Sequence, residues 1–480
     1  MVLENKKFKL IGALTSKPYA FMARSWELKI FESIDIFDNL GSNIRVDIRN
    51  FEILRILPKF NYNLNEDWIS DKVRFCYDGL RKQRLSQPLL KKNNTLVPVT
   101  WEESFSEFKK IVNSKVYQID SFCGELVDLE TLLIFKNFLN NLGVSSFISN
   151  YNLKSNSLGY FRNSYIFDLN NKKLANINNL IFINLNLRLE NPILNLKIRK
   201  NVLKNNLKIF NIGFSYNLTY SFLNLGNNLM TFLKLIEGSS RICQKLFKNK
   251  FNYFLLGSNI LYRNDFSFFI ESLNFLKQYL KQSLEYSIFF SGSNALSHLE
   301  LGFPNTNLVT NLKSKNKILF LMDMDNISFD RSQYDFVCYQ GHHGDINVLN
   351  SNLVFPGILP YEKQSTFINL YGLSQRTENI IKPLNLQHIK EDWTILKGLG
   401  DYLNLNLEYK TFNDLSFELN RLISKSLLSN DFAVTFPKTV TASNRITTNY
   451  SGNYYLTNSI ARASLVMTLC AFRFKLTNFN

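Results

Sequence analysis

Five short apolar runs, Leu180–Ile183, Lys208–Ile212, Tyr253–Leu256, Lys317–Leu321 and Asp335–Tyr339, are separated by longer stretches of helical period. Each run is too short to be a helix and reads as a buried strand. Between two of them, Asp265–Lys281 carries Phe269, Leu273, Leu276 and Leu280 on one helical face. Strands that alternate with helices pair in parallel, because each crossover helix covers a face of the sheet. The pattern therefore predicts an α/β fold of doubly wound parallel sheets, built as two units.

The residues before these runs read differently. Positions 26–58 alternate with a period near two, at Trp26–Ile30, Ile44–Ile48 and Ile53–Leu57, and predict a small antiparallel lobe with a turn at Gly41-Ser42-Asn43. A helix is expected from an Asn65 N-cap to about Gly79, with acids in its first turn. The basic run Arg81-Lys82-Gln83-Arg84 after it reads as a solvated surface or a partner contact. Thr100 and Glu103 form a capping box ahead of the apolar stripe Phe105, Phe108, Ile111 and Val112. A short strand at Val116–Ile119 and a helix over Leu129–Leu142, stopped by Gly143, follow. Leu353–Phe355 is a further strand that stops at Pro356-Gly357, and Phe367–Tyr371 alternates like another. Near the end, Glu391-Asp392-Trp393 opens a helix with Trp393, Leu396, Leu399 and Leu403 inward, and Asn430–Asn453 has the texture of a polar loop. The expected division is a lobe over 1–95, the α/β region over 96–362 and a C-terminal region over 363–480.

Composition limits the function classes. The net charge of +17 admits an anionic partner such as nucleic acid, but the basic residues are scattered and form no stripe. Asn is about one residue in eight, with Phe, Ile, Lys and Tyr also heavy, a mixture that points to AT-rich coding. No apolar run reaches the roughly 18 residues of a membrane span. The start, MVLENKKFKL, has neither a secretory nor a transit character. The cysteines, Cys76, Cys123, Cys243, Cys338 and Cys470, are too far apart for the short spacings of zinc or iron–sulfur sites.

The densest motif lies in Tyr334–Arg376: the turn Tyr339–Asp345 (YQGHHGD), then Phe355-Pro356-Gly357, then Glu362-Lys363, Thr366, Asn369, Gly372 and Gln375. This resembles the large iron–sulfur subunits of mitochondrial respiratory complex I (NADH:ubiquinone oxidoreductase) in their C-terminal part, which is related to the molybdopterin oxidoreductases. Other stretches resemble the same family: residues 8–24, Glu32–Asn43 (ESIDIFDNLGSN), the segment NEDWISDKVRFCYDGL, Glu391-Asp392-Trp393 and residues 453–470. The resemblance implies a molybdopterin-oxidoreductase-like fold and a place in the peripheral, matrix-side arm of a proton-pumping NADH:ubiquinone reductase. The implied role is structural, packing on and shielding the cluster-bearing chain.

Departures from the family pattern shape the rest of the expectation. Lys9 stands at the position of the family's last cluster-binding cysteine and Leu10 at its proline, so the chain is expected to begin where the iron–sulfur half ends. The cysteine-rich half is then expected as a separate polypeptide, held by an extensive apolar interface. AT-rich coding and the lack of a transit peptide fit a protein made inside the mitochondrion. The N-terminal lobe carries an additional four-iron cluster in some relatives, but no cysteine occurs before Cys76, so that cluster is expected to be absent. Where related proteins carry glycines in the loops that approach cofactor phosphates, this chain has Asn184-Leu185-Asn186-Leu187-Arg188 and Met322-Asp323-Met324-Asp325. Carboxylates in the second loop would repel a pyrophosphate. His342, His343 and Asp345 are too close together in one turn to make a metal site and are expected to hydrogen-bond that turn. Glu362 and Lys363 are expected to pair with each other or at the surface. Ser291-Gly292-Ser293 lacks the spacing of a nucleophile turn. No catalytic, cofactor-binding or metal residue is expected, and no cofactor in this chain. The alternatives are an active molybdopterin oxidoreductase, which would need molybdenum or tungsten, and a basic organellar nucleic-acid-binding protein, which would show steep salt dependence.

Overall fold

The computed structural model describes residues 16, 18–114, 118–144, 147–149, 165–243, 246, 251–260, 263, 265–280, 284–290, 292–303, 317–324, 329–382, 388–426 and 453–478. Lys9, Leu10, Gly12, Ser291, Asp325 and nearly all of the expected polar loop 430–453 lie outside them.

Three antiparallel strands, β1 (Lys29–Ile34), β2 (Asn43–Arg49) and β3 (Glu52–Pro58), form the N-terminal lobe. Alternation buries Ile44, Val46, Ile48, Leu54 and Ile56 on one face. Asn50 and Phe51 link β2 to β3 with φ of 49° and 64°, the two left-handed residues of a tight hairpin turn. The following helix is shorter than expected. It runs Asp71–Phe75 behind Ser70, whose hydroxyl accepts from Val73 N, and tightens into a 3₁₀ turn over Cys76–Gly79. Asn65 is not its cap. Its amide accepts from Asn43 N (3.1 Å) and donates to Lys59 O (3.1 Å), and Glu66 beside it takes φ of 50°, which no helix start allows.

The hairpin β4 (Leu89–Lys92) and β5 (Thr95–Pro98) adds antiparallel strands to a sheet of order β5-β4-β15-β14-β13-β6-β7. Its parallel strands are β6 (Gln118–Cys123), β7 (Phe147–Ser149), β13 (Lys317–Met322), β14 (Phe336–Gly341) and β15 (Leu353–Pro356). A second, wholly parallel sheet has the order β10-β9-β8-β11-β12. It consists of β8 (Asn179–Ile183), β9 (Lys208–Ile212), β10 (Leu223–Gly226), β11 (Asn252–Gly257) and β12 (Leu284–Phe289). The second unit is thus inserted in the chain between β7 and β13 of the first. Strands and helices of the expected types stand at all five apolar runs and at Phe266–Leu280. The capping box holds, with Thr100 N donating to Glu103 and Glu103 N to Thr100 Oγ1 (3.2 Å each).

The core is aromatic-rich. Phe320 at the centre of β13 meets Phe135 and Phe138 of the helix Leu129–Asn141 and Phe108 of the helix Trp101–Ser114, with ring centroids 5.2, 6.4 and 6.1 Å apart. The helix Asp392–Tyr402 buries Ile395, Leu396 and Leu399, while Trp393 and Leu403 lie at its margin. Phe367 falls in a two-stranded ribbon, β16 (Ser365–Ile368) with β17 (Ser374–Thr377), which stops short of Tyr371. Among the described residues no helix is long and apolar enough to cross a membrane.

Candidate functional site

Open parallel sheets bind ligands outside the carboxyl ends of their strands, where the strand order reverses. Here the reversals fall between β6 and β13 in the first sheet and between β8 and β11 in the second. The two places are built alike, each with a close backbone contact across it. Gly124 follows β6 so closely under the loop after β13 that a Cβ on it would lie 1.9 Å from Asp323 O. Gly257 ends β11 in the same relation to Asn184 O, at 2.2 Å. Asp323 and Asn184 each turn left-handed, with φ of 47° and 50°. Asp and Asn tolerate that region better than other L-residues, so they stand in for glycine in these loops. The sequence reading weighs only the lost glycines and misses Gly124 and Gly257, although each stands directly at the end of its strand.

The space left above the first sheet is filled by the protein's own charges. Lys363, fully buried, places its ammonium 2.6 Å from Asp128 and 2.7 Å from Asp392. Asp128 caps the helix Leu129–Asn141 and Asp392 begins the helix Asp392–Tyr402, so two helix N-termini converge on the carboxylates that hold this lysine. Burial alone would push the Lys363 ammonium down, but the two carboxylates outweigh it and hold the lysine well above its usual range. Burial pushes Asp392 up, with Lys363 opposing. Gly341 and Gly357, at the ends of β14 and β15, make room: a Cβ on Gly357 would meet Asp392 Oδ1 at 2.2 Å. The residual cavity lined by Asp128, Asp323, His342, Lys363 and Asp392 measures about 10 Å³, space for one water at most.

Several expectations are corrected here. Glu362 and Lys363 do not pair with each other or at the surface. Glu362 instead binds Arg84 at 2.7 Å, with both side chains about 95% buried. Arg84 is therefore not part of a solvated basic tail, although Arg81 is, with its exposed partner Glu52. His342, His343 and Asp345 do not merely close their own turn. His343 reaches Gly79 O (3.0 Å), His342 lies 3.2 Å from Asp323, and Asp345 binds Arg462 at 2.6 Å. Each contact joins segments far apart in sequence, which local reading cannot see.

Above the second sheet, the Asn186 side-chain oxygen, Asn184 Nδ2 and Glu190 Oε2 are buried without hydrogen-bond partners. Asn186 N donates to Glu190 Oε1 (3.1 Å) and Arg188 donates to Asn217 O (3.0 Å). Glu190 is buried, and burial pushes its carboxyl up to about 7. A carboxyl raised in the folded state favours folding below its unfolded range and loses that contribution as pH rises through the folded value. Glu190→Gln is therefore expected to stabilise the protein by roughly 1–3 kcal/mol near pH 8 and by almost nothing near pH 4, measured by urea unfolding at both.

Comparison with known proteins agrees with this fold. Residues 84–402 match the molybdopterin oxidoreductase family model. The acetylene hydratase from Pelobacter acetylenicus superimposes with a TM-score of 0.52 at 10% identity, covering 78% of this chain and 69% of that one, which shows the fold alone. The NADH-ubiquinone oxidoreductase 75 kDa subunit of Reclinomonas americana is 36% identical over 97% of this chain and 71% of its own length. The 75 kDa subunit of Acanthamoeba castellanii is 34% identical, with 98% and 70% covered. The mitochondrial NADH-ubiquinone oxidoreductase 78 kDa subunit of Candida albicans is 32% identical, with 97% and 67% covered.

Residues 28–78 match the model described as NADH-ubiquinone oxidoreductase NDSU1/NuoG-like, 4Fe-4S domain. The expectation of no cofactor in this chain is corrected to that extent: a domain of the 4Fe-4S type is present over these residues. Its residues do not fit a cluster. A four-iron cluster takes about four thiolates, and positions 28–78 hold only Cys76. Cys76 is fully buried in the lobe's apolar core, where burial pushes its thiol up and away from the thiolate a cluster needs. Among the described residues no group of three His, Cys, Asp or Glu side chains could hold a metal ion. With this lobe joined to a molybdopterin-type core, and with similarity along nearly its whole length, the chain belongs to the family of the NADH-ubiquinone oxidoreductase 75 kDa subunit.

Proposed function

We propose that the chain is a structural subunit of the peripheral, matrix-side arm of a mitochondrial proton-pumping NADH:ubiquinone oxidoreductase, with no catalytic, cofactor-binding or metal residue of its own. The observation that carries this reading is the filled crevice of the first sheet, where a buried lysine with its carboxylates occupies the strand ends and Gly124 packs against Asp323 O. A pterin cofactor would have to displace that ion cluster, and an active molybdopterin oxidoreductase is disfavoured for that reason. Electron transfer from NADH to ubiquinone would run through the assembly, while this chain excludes water from the clusters beside it, since burial and dielectric set cluster potentials.

A cysteine-rich iron–sulfur polypeptide, separate from this chain, is the proposed main partner among the peripheral-arm subunits. Unpaired apolar surface supports this. Phe21, Met22, Trp26 and Ile30 stand exposed, and Met22 also lines a cavity of about 200 Å³ with Pro18, Leu54, Tyr77 and Leu80. Leu465, Leu469 and Phe472 form an exposed stripe on the helix Leu465–Asn478. Contiguous apolar patches on a folded surface mark protein contacts. The Asn-, Lys- and Ile-rich composition supports mitochondrial encoding.

The test is native-gel or affinity purification from mitochondria, with mass spectrometry and metal analysis. The expected result is co-migration with NADH dehydrogenase subunits and a distinct cysteine-rich chain, and no stoichiometric molybdenum, tungsten or iron on the isolated polypeptide. Stoichiometric molybdenum or tungsten would reinstate a cofactor enzyme. Migration alone or with nucleic acid would overturn the assembly role, and co-migration without a distinct cysteine-rich chain would overturn the division into two polypeptides.

A further inference from the structure

The helix Pro192–Asn205 meets the N-terminal lobe at residues 63–68. Ile193, Leu196, Lys197 and Lys200 recur along it at three- and four-residue steps and so share one helical face. With Asn65, Glu66 and Trp68 they line a pocket of about 150 Å³. Its walls are apolar at Ile193, Leu196 and Trp68 and cationic at the two lysines. The charges are unequal. Glu66 is the one carboxylate among the lining residues, and Lys200 already engages both of its oxygens, at 3.0 Å each. Asp67 is exposed and outside the lining. Lys197, only 6% exposed, meets one side-chain acceptor partner among the described residues, the backbone oxygen of Asn63 at 2.7 Å. A lysine ammonium has three hydrogens to donate, and a buried cation with no carboxylate of its own is costly.

We propose that this pocket binds a small organic carboxylate, with the carboxylate on Lys197 and the apolar body against Trp68, Ile193 and Leu196. The pattern is that of a small-molecule site, apolar walls with a few polar groups that fix orientation. Size limits the body, since an apolar cavity of about 150 Å³ accommodates a benzene ring. Charge favours a single carboxylate, because Lys200 is already paired and leaves one cation to be matched. Burial pushes the Lys197 ammonium down to about 8, with Glu66 opposing and Lys200 adding to the effect. A carboxylate at Lys197 would form a charge-assisted hydrogen bond and return the ammonium toward its usual range. The site lies at the junction of the lobe and the second unit, and it does not depend on the assembly reading.

The test is calorimetric titration of the full chain with benzoate at low salt, with benzyl alcohol as the neutral ligand of similar shape. Near pH 7 benzoate is expected to bind with a dissociation constant on the order of 1–10 mM, the range for so small a ligand. Benzyl alcohol is expected to bind about tenfold more weakly or worse, and Lys197→Met to weaken benzoate by about tenfold while leaving benzyl alcohol unchanged. Because the bound carboxylate favours the ammonium, binding near pH 8 is expected to take up part of a proton, read as a dependence of the heat on the ionisation enthalpy of the buffer. Near pH 6, where Lys197 is already charged, almost none is taken up. A lysine that only ties its helix to Asn63 would show neither the preference nor the proton uptake. Equal affinity for the two ligands, no binding at about 50 mM benzoate, binding near pH 8 without proton uptake, or unchanged benzoate affinity in a folded Lys197→Met would overturn the proposal. The first three readings come from the parent chain and decide alone should the variant fail to fold.

Discussion

Lys363→Met is expected to cost about 3–5 kcal/mol of stability, the typical loss when one member of a buried ion pair is removed. The methionine fills much of the same volume, so the loss is electrostatic: Asp128 and Asp392 remain buried, close together and without a cation. The deficit has a pH signature. It is largest near pH 8 and shrinks toward acid pH as Asp392, whose carboxyl burial pushes up, takes up a proton and the repulsion is relieved. Combining Lys363→Met with Asp128→Asn and Asp392→Asn removes the charges together, and Asn keeps the helix cap that Asp128 provides. That triple variant is expected to recover most of the loss, as charge-free replacements of buried ion pairs commonly do. Urea titration of the parent, the single and the triple variant checks this. A single variant within about 1 kcal/mol of the parent would mean that the lysine is not held as described.

The second large effect is steric. Gly124→Ala and Gly257→Ala are each expected to cost about 3 kcal/mol, the upper range for forcing a methyl into a closed contact. The obstacle is backbone, Asp323 O at 1.9 Å and Asn184 O at 2.2 Å, which cannot rotate aside as a side chain can. Gly143→Ala is the control. It sits at φ of 76° with nothing within 4 Å, so it carries the strain of a left-handed alanine alone, about 1–2 kcal/mol. Thermal or urea unfolding of the three variants separates the contributions. Equal losses at all three sites would show that the crevices are not closed by contact, and would leave room for a cofactor above the strands.

These effects reside in contacts that a linear reading reaches only partly. The sequence reading disfavours phosphate-cradling loops after β8 and β13 on the missing glycines alone. Missing glycines are half of the device, and the other half is the glycine in the facing loop with an Asx residue turned left-handed over it. By contrast, the likeness of the N-terminal lobe to a cluster domain is legible in the Glu32–Asn43 motif, as is the single thiol at Cys76, and the family match over residues 28–78 bears out that likeness.

What the amino-acid order determined alone is the set of local elements. Period-two and helical patterns placed the antiparallel lobe, the parallel strands and the long helices, because burial of one face is a property of neighbours in sequence. The Thr100–Glu103 box marked a helix start for the same local reason. Only the tertiary structure decided the partners of the charges. Lys363 and Asp128 are 235 residues apart and Arg84 and Glu362 are 278 apart. A lysine or arginine in a polar stretch is read as solvated, and its burial depends on which strand ends and helix N-termini the fold brings over it. The charges at the strand ends are structural because those ends converge, and convergence is a consequence of strand order, which no local spacing encodes.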